Sequence, residues 1–230
     1  MYENPSATFV FLGPSLPREE AEKVLPLPVT WCPPIRRGDL PRALATGARR
    51  VAILDGEFGQ SLAVSVTEIK AALARGVEVW GASSMGALRA AECAGIGMRG
   101  VGWIYRGFAS GLLQADDEVA LLFNPWSGEA VTLPLVSFRW SLALAKAEGL
   151  VPAAAAPDLL AAARRVRYAE RTLDTLRAAA RHQPWEEPMR ALLDWMESEP
   201  LRADRKRLDA LQLLEILALE LTPAALEAAS

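Results

Sequence analysis

The sequence predicts an α/β fold, in which a Rossmann-like three-layer domain with a mostly parallel sheet is followed by a small all-helical C-terminal subdomain. Short apolar runs alternate with helical segments in the first part of the chain, and connections this short favour parallel strands flanked by helices. All 16 glycines lie at or before Gly149, and the remainder is rich in the helix-favouring residues Ala, Leu, Arg and Glu. We therefore expect a core domain at 1–150 and a helical subdomain at 151–230.

Four apolar runs in the first part are predicted strands, and each leads into a helix. They are ATFVFLGP, VTWCPPI, VAILDG and VEVWGAS, which begin at residues 7, 29, 51 and 77. Ser65 and Glu68 have the spacing of a capping box and predict a helix over 66–75 that ends at Gly76. DDEVALLFNP, from residue 116, is expected to form a further strand. In the tail, the seven-residue spacing of Leu159, Val166 and Leu173 predicts one apolar helical face.

The composition excludes several classes of protein. The chain has 230 residues, of which 51% are hydrophobic and 23% charged, and its net charge of −3 argues against bulk nucleic-acid binding. No run approaches the ~18 apolar residues of a membrane span, and the N-terminal segment has no basic region typical of a signal peptide. Two cysteines and one histidine are too few for a disulfide framework or a zinc cage. We expect a cytoplasmic protein with no cofactor, no metal site, no nucleic-acid partner and no membrane partner.

The candidate site lies at the carboxyl ends of the predicted strands, where open parallel sheets bind their ligands. The segments GPS (13–15), DGEF (55–58) and GASSMG (81–86) reach that edge. In the last of these a strand runs through small residues directly into a helix, as in the nucleophile elbow of hydrolases. Ser83 and Ser84 are candidate nucleophiles, and the amides of the helix start could hold an oxyanion or a carboxylate. Capping of the helix by either serine is the alternative interpretation.

Charged residues near this edge leave several interpretations open. Asp55 could orient a ligand, act as a base or bind a metal, or it could hydrogen-bond the next turn. Arg89 and Glu92 have the spacing of an ion pair, although Arg89 could instead bind a carboxylate at the helix start. The single histidine, His182, lies in the tail, so a Ser-His-Asp triad is not expected. A carboxylate or Lys70 is the alternative base.

The three adjacent acids and the two cysteines each allow a structural and a functional interpretation. For Asp116, Asp117 and Glu118 a solvated turn is favoured over a magnesium or calcium site. Cys32 ends a predicted strand, which leaves persulfide or nucleophile chemistry open. Cys93 is expected to lie in the core.

Six segments of the chain, in characteristic order, carry a family resemblance. They are FLGPSLP (11–17), PPIRRGDLPRAL (33–44), VAILDGEF (51–58), EIKAALARGVEVWGASSMGALRAAE (68–92), GMRGVGWIY (97–105) and DDEVALLF (116–123). With these segments, which cover nearly all of residues 10–140, the chain resembles the TfuA family, named for a protein of trifolitoxin biosynthesis. The stretch GASSMGALRAAE is long and unusual, whereas the helical tail carries little of the resemblance.

The resemblance implies a TfuA-like α/β core at 1–150 and an accessory role in making ribosomally synthesised, modified peptides (RiPPs). TfuA-like proteins accompany YcaO enzymes, which use ATP to activate peptide backbone amides, and the product is typically a thioamide. The implied activity is hydrolysis of the C-terminal thiocarboxylate of a ThiS-like carrier protein, which releases sulfur for YcaO. The alternative is a non-catalytic adaptor or allosteric activator that binds YcaO and the carrier. A homo-oligomer is left open.

Carried over by position, the resemblance implies a set of site residues. The implied catalytic residues are Ser83, Ser84 and Asp55, and the implied substrate-binding residues are Gly13, Met85, Gly86 and Arg89. Several family members have a His-Lys pair where this chain has Val66 and Thr67, and a chain without that pair could act mainly as an adaptor. A nucleotide-binding module is disfavoured, because no GxGxxG or Walker-type loop stands in the right place.

Overall fold

A computed structural model describes residues 7–59 and 61–228 of the chain, with side chains up to residue 222. The contacts within the chain divide these residues into two units. Unit 1 contains the described residues up to Gln114 together with those from Lys206 onward, and unit 2 is Ala115–Arg205. The predicted boundary after residue 150 falls inside unit 2, and the division into a core domain and a helical subdomain stays a prediction.

Unit 1 contains a five-stranded sheet in which every pair of neighbouring strands is parallel. In chain order the strands are β1 (Thr8–Phe11), β2 (Thr30–Cys32), β3 (Arg50–Ile53), β4 (Glu78–Gly81) and β5 (Arg99–Gly100), and their order across the sheet is β2-β1-β3-β4-β5. The chain therefore reverses direction across the sheet between β1 and β3, and such a switch point leaves a crevice at the carboxyl ends of the strands. The predicted α/β fold and its four strands are confirmed, whereas β5 was not predicted.

Eleven α-helices lie within the described part of the chain. They are α1 (Arg18–Val24), α2 (Asp39–Ala45), α3 (Val66–Ala74), α4 (Met85–Cys93), α5 (Gly102–Ala109), α6 (Leu135–Ala147), α7 (Ala156–Arg165), α8 (Leu173–Ala180), α9 (Glu186–Ser198), α10 (Pro200–Ala203) and α11 (Arg205–Ala228). None of the described helices is both long and apolar enough to cross a bilayer.

The sheet is covered on both faces, because successive residues of a strand point to opposite sides. One core contains Phe9, Phe11, Val51, Ile53 and Val79 of the strands, with residues of α2, α3 and α4 such as Leu40, Ile69 and Ala90. The other contains Val10, Leu12, Ala52, Leu54 and Trp80, with Ala21 of α1, Leu25 directly after α1, and Ala210, Leu213, Leu214 and Leu217 of α11. Thus α11, at the end of the tail, forms part of the third layer of the sheet unit.

A buried carboxylate fixes α11 to the rest of unit 1. Asp209 accepts hydrogen bonds from the backbone amides of Trp103 (2.9 Å) and Ile104 (2.7 Å), at the start of α5. Gly102 stands beside it with φ of 97°, and a Cβ at this position would lie 2.3 Å from the Asp209 carboxyl carbon. A carboxylate at a helix start satisfies amides that have no partner within the helix and is favoured by the helix dipole.

Unit 2 is built from α6 to α10 around its own apolar core, which includes Phe138, Leu142, Leu159, Leu176, Met189 and Leu193. The prediction of one apolar helical face through Leu159 and Leu173 is wrong. The chain leaves the helical conformation between α7 and α8, so these two residues lie on different helices.

A buried arginine explains why the helix is interrupted there. Arg171 is fully buried, and its guanidinium donates to the carbonyls of Ala163 (3.1 Å) and Val166 (3.0 Å) at the end of α7. Burial lowers the pKa of Arg171, and the nearby Asp117 opposes that shift. The last carbonyls of α7 are thus satisfied by a side chain from the next turn.

The segment 116–123 does not form the predicted strand. Asp116–Glu118 is a short 3-10 helix, and the run beyond it makes only an isolated bridge between Phe123 and Ala130. Glu118 is buried and accepts three hydrogen bonds from the Arg139 guanidinium. Nε donates to Oε1 at 3.0 Å and to Oε2 at 2.8 Å, and Nη2 donates to Oε1 at 2.6 Å. This buried ion pair holds the start of the segment out of any strand.

Candidate active site

The register of the sheet places three of the predicted site residues side by side at the carboxyl ends of neighbouring strands. Phe11 pairs with Ile53, and Ile53 pairs with Gly81. Gly13, Asp55 and Ser83 each stand two residues beyond one of these paired positions, in the loops that leave β1, β3 and β4. Since the three strands are parallel neighbours, these loops meet at the same edge of the sheet, at the switch point.

Asp55 is the centre of a buried hydrogen-bonded cluster. Its Oδ2 atom accepts from the backbone amides of Gly13 (2.9 Å) and Ser15 (3.1 Å), and its Oδ1 atom accepts from the Ser15 hydroxyl at 2.6 Å. Asp55 is only 2% exposed. Of the alternatives open for this residue, the structure shows a carboxylate that holds a neighbouring loop, the one after β1.

Ser83 joins this cluster in an unusual backbone conformation. Its φ is 66°, in the left-handed region that residues other than glycine rarely adopt. Its hydroxyl donates to the Ser15 hydroxyl at 2.8 Å, so a chain of donors runs from Ser83 through Ser15 to Asp55. Strained residues of this kind cluster at functional sites, where the surrounding structure holds them in place.

The helix-capping interpretation of the two serines is not supported. Ser84 occupies the N-cap of α4, but its side chain makes no capping hydrogen bond, and the Ser83 hydroxyl is directed to Ser15. The backbone amides of Ser84 and Gly86 donate to the carbonyl of Leu54, at 3.1 and 3.4 Å. Two amides that could hold an oxyanion are therefore already occupied in this structure.

Two glycines allow α4 to begin against the end of β3. A Cβ on Gly86 would lie 1.7 Å from the Ile53 carbonyl oxygen, and a Cβ on Gly81 would lie 2.1 Å from that of Gly86. Met85, between them, is 1% exposed and belongs to the apolar core. The two glycines of GASSMG are thus explained by close backbone packing.

Arg89 makes its contacts outside the cluster. Its Nε atom donates to the Val64 carbonyl at 2.8 Å, and its Nη1 atom lies 2.5 Å from Glu92. The ion pair with Glu92 is confirmed. The substrate-binding roles of Gly13, Met85, Gly86 and Arg89, and the catalytic roles of Ser83, Ser84 and Asp55, stay predictions.

Two members of the cluster were missed by sequence analysis. Ser15 lies in a segment that was placed at the sheet edge, but the residue itself was not singled out. Lys206, the second residue of α11, has its Nζ atom 3.8 Å from Asp55 Oδ1 and is 2% exposed. The sequence does contain a signal that could have indicated Lys206. The residue is spaced four and seven positions before Ala210 and Leu213, so it is a charged residue on an otherwise apolar helical face.

The remaining candidates lie elsewhere. Lys70 is exposed on α3, and His182 lies in unit 2 between α8 and α9. Burial, followed by the charge of Asp39, raises the pKa of the Cys32 thiol. Burial, followed by Glu92, likewise raises the pKa of Cys93, which is a core residue as expected. A thiol with a raised pKa holds less of the nucleophilic thiolate at neutral pH.

Two of the three adjacent acids have side-chain partners within unit 2. Asp117 lies 3.4 Å from Arg171, and Glu118 is paired with Arg139. Within the described part of the chain, no group of three or more His, Cys, Asp or Glu side chains could hold a metal ion.

Comparison with known proteins gives one positive result. The family model described as "TfuA-like protein" matches residues 55–172, just over half of the chain, and this range includes Asp55 and the whole β4–α4 junction. No curated protein matches the chain. A match of this extent, over residues that form the centre of the buried cluster, shows that the chain belongs to the TfuA-like protein family.

Proposed function

We propose that this protein hydrolyses the C-terminal thiocarboxylate of a ThiS-like carrier and supplies the sulfide to a YcaO enzyme for backbone thioamidation. The observation that carries the proposal is the hydroxyl of Ser83, held at a strained strand–helix junction and linked through Ser15 to a buried carboxylate. The net reaction converts R–COS⁻ and water into R–COO⁻, HS⁻ and H⁺.

The cluster supplies a nucleophile and a base for acyl transfer. Ser83 Oγ attacks the thiocarboxylate carbon, its proton passes to Ser15, and the Ser15 proton passes to Asp55. The tetrahedral intermediate then expels sulfur and leaves an ester on Ser83. The departing sulfur takes a proton from the Ser15 hydroxyl, Asp55 returns its proton to Ser15, and the sulfur leaves as HS⁻. Water, deprotonated by the same carboxylate, attacks this ester and yields the carboxylate product, a proton and free Ser83.

The site is closed in this structure, in the sense that its nucleophile is buried and its amides are occupied, and this limits when the reaction can occur. Ser83 is fully buried, and the Leu54 carbonyl occupies the amides of Ser84 and Gly86. The carrier tail reaches Ser83 only after the covering residues move, and these amides hold an oxyanion only after the Leu54 peptide moves. We therefore expect slow sulfide release by the protein alone and faster release with YcaO present.

The same closed state favours a second candidate function, the non-catalytic adaptor. In that case the cluster only fixes the loops at the sheet edge, and the protein raises thioamidation by positioning YcaO and the carrier. The two candidates differ in whether removal of one buried hydroxyl stops sulfide release while the fold persists.

The deciding experiment measures sulfide release from a thiocarboxylated ThiS-like carrier, with and without this protein and with and without YcaO. We expect Ser83→Ala and Asp55→Asn to lower the stimulated rate by at least about 100-fold, because each removes a group that acts in proton or acyl transfer. Ser84→Ala tests the neighbouring predicted nucleophile, and Ser61→Ala changes an exposed serine of the same unit as a control.

Circular dichroism and urea unfolding establish that each variant is folded. Unchanged sulfide release by folded Ser83→Ala would show that the proposed proton relay from Ser83 through Ser15 to Asp55, the serine relay, is wrong. Stimulated thioamidation without any sulfide release attributable to this protein would favour the adaptor.

A further inference from the structure

We propose that Lys206 is a positioning residue of the same site: its ammonium group, delivered by α11, holds Asp55 as a hydrogen-bond acceptor and thereby sets the direction of the serine relay. This inference rests on the proposed function for its catalytic consequence. Its structural part, the coupling between Lys206 and Asp55, can be measured whether or not the protein is a hydrolase.

The position of Lys206 is set by the packing of α11. Four apolar side chains follow Lys206 on the helix and are fully buried against the sheet. They are Ala210, Leu213, Leu214 and Leu217. Asp209 holds the same part of the helix to the first turn of α5, and Arg207 forms an ion pair with Glu20 of α1. The contacts of Arg207 and Asp209 therefore fix the start of α11, where Lys206 lies.

The burial of the Lys206 ammonium group must be compensated by an electrostatic interaction. Lys206 is 2% exposed, and removing an ammonium group from water is costly unless an opposite charge and hydrogen-bond acceptors replace the water. An apolar side chain would fill the same space on this face without that cost. The Asp55 carboxylate, itself 2% exposed and 3.8 Å away, supplies the opposite charge.

The donors around Asp55 determine which way the hydroxyl groups point. The Asp55 carboxylate is met by the amides of Gly13 and Ser15, by the Ser15 hydroxyl and by the Lys206 ammonium. An amide and an ammonium group can only donate, so the carboxylate oxygens act as acceptors toward all of them. Asp55 therefore accepts from the Ser15 hydroxyl, which leaves the Ser15 oxygen to accept from Ser83.

This arrangement gives Lys206 a role beyond stability. Without the ammonium group the Asp55 carboxylate loses the cation beside it and is held less firmly in place. A displaced carboxylate can neither orient Ser15 nor receive the relayed proton. Lys206 thus acts on Ser83 through two intermediate residues, while its own contact in the cluster is with Asp55.

The experiment compares Lys206→Met and Lys206→Arg with the wild-type protein in the carrier assay at pH 7, with YcaO present and over a range of carrier concentrations. We expect Lys206→Met to lower kcat by about 10-fold or more and to leave KM for the carrier within about 2-fold, because the relay acts in the chemical step. Lys206→Arg keeps the charge and should return kcat toward the wild-type value. Lys23→Met, on the exposed side of α1, is the matched control and should leave kcat and KM unchanged.

A second measurement does not depend on activity. In a thermal-unfolding cycle, Lys206→Met and Asp55→Asn each leave one buried polar partner behind, so each should lower the melting temperature. The double variant should melt above the temperature expected from adding the two losses, because both single variants lose the same Lys206–Asp55 contact.

The outcomes separate the two proposals. Additive melting losses, or a Lys206→Met variant that raises KM without lowering kcat, would overturn the positioning role even if the wild-type protein releases sulfide. A wild-type protein that releases no sulfide, combined with strong Lys206–Asp55 coupling, would overturn the hydrolase and leave the coupling in place. If Lys206→Met does not fold, Lys206→Gln, which also removes the charge but keeps a polar side chain, takes its place in the kinetic comparison and in the cycle.

Discussion

At the scale of single residues, the β4–α4 junction is controlled by how closely two pieces of backbone approach. Gly81 and Gly86 leave no room for a Cβ, since the nearest atoms at 2.1 and 1.7 Å are backbone atoms that cannot rotate away. Ser83 lies between these two contacts with its left-handed φ. The conformation of the serine is thus held by the glycines on either side of it.

Gly86→Ala is expected to lower the free energy of unfolding by about 3 kcal/mol or more, because the Ile53 carbonyl must move to admit the new methyl group. Gly95→Ala is the matched control, since a Cβ there meets nothing within 4 Å, and it should be neutral or slightly stabilising. Urea unfolding of the two variants tests this expectation. Equal stability of the two would show that the junction packs more loosely than described.

The sequence predicted part of this site and could not predict the rest. A run of small residues at the end of an apolar run indicated the tight strand–helix junction, because that signal is local. The contact of Ser15 with Ser83 and that of Lys206 with Asp55 depend on the register of three strands and on where α11 packs. Neither property is encoded in any short stretch of the chain.

At the scale of elements, the start of α3 shows how one side chain serves two helices. The predicted capping box is confirmed: Ser65 Oγ accepts from the Glu68 amide (3.2 Å), and the Glu68 carboxylate accepts from the Ser65 amide (2.8 Å). The same carboxylate also accepts from the amide of Gly38, at the N-cap of α2, at 2.6 Å. Burial raises the pKa of Glu68, but these hydrogen bonds and the charge of Arg37 outweigh burial and lower it overall.

Glu68→Gln is expected to cost about 1 kcal/mol of unfolding free energy near pH 7, the usual value of a cap. Because the pKa of Glu68 is lowered in the folded protein, its stabilising effect is present above the unfolded value of about 4.3 and is lost as the pH falls through the folded value. The difference between wild type and variant should therefore shrink in urea titrations from pH 6 to pH 3. A difference that stays constant with pH would contradict this account.

Elements with a local signal were predicted, and those without one were not. The capping box and the glycine at the end of α3 mark that helix in the sequence itself. β5 contains only Arg99 and Gly100, too short for any periodicity, and it is a strand because it pairs with β4. The apolar run at 119–123 has the composition of a strand, but it follows a segment that the Glu118–Arg139 pair holds in a 3-10 turn.

At the scale of the whole molecule, unit 1 is made from two separate stretches of the chain. The first contributes the sheet and α1 to α5, and the second contributes α11, which covers one face of that sheet. A truncated chain of residues 1–150 would therefore lack part of the third layer, as well as Lys206 and Asp209. Loss of partner binding on such a truncation would report unfolding of unit 1 and would not identify a binding surface.

Two leucines on α11 test this description. Leu213 is fully buried, so Leu213→Ala should lower the unfolding free energy by about 2 to 5 kcal/mol. Leu219, on the same helix, is 76% exposed, and Leu219→Ala should change it by less than about 0.5 kcal/mol. Chemical denaturation of both variants provides the comparison, and similar losses at the two positions would place α11 away from the sheet.

The origin of α11 has a consequence for synthesis on the ribosome. Chains fold as they emerge, N-terminal parts first. Val10, Leu12, Ala52 and Leu54 emerge early, but the leucines of α11 that cover them emerge only after the whole of unit 2. During that interval this apolar face of the nascent sheet is covered only in part, by α1. Unit 2, which is continuous in the chain, can fold before unit 1 is complete, and the buried cluster around Asp55 closes as one of the last events of translation.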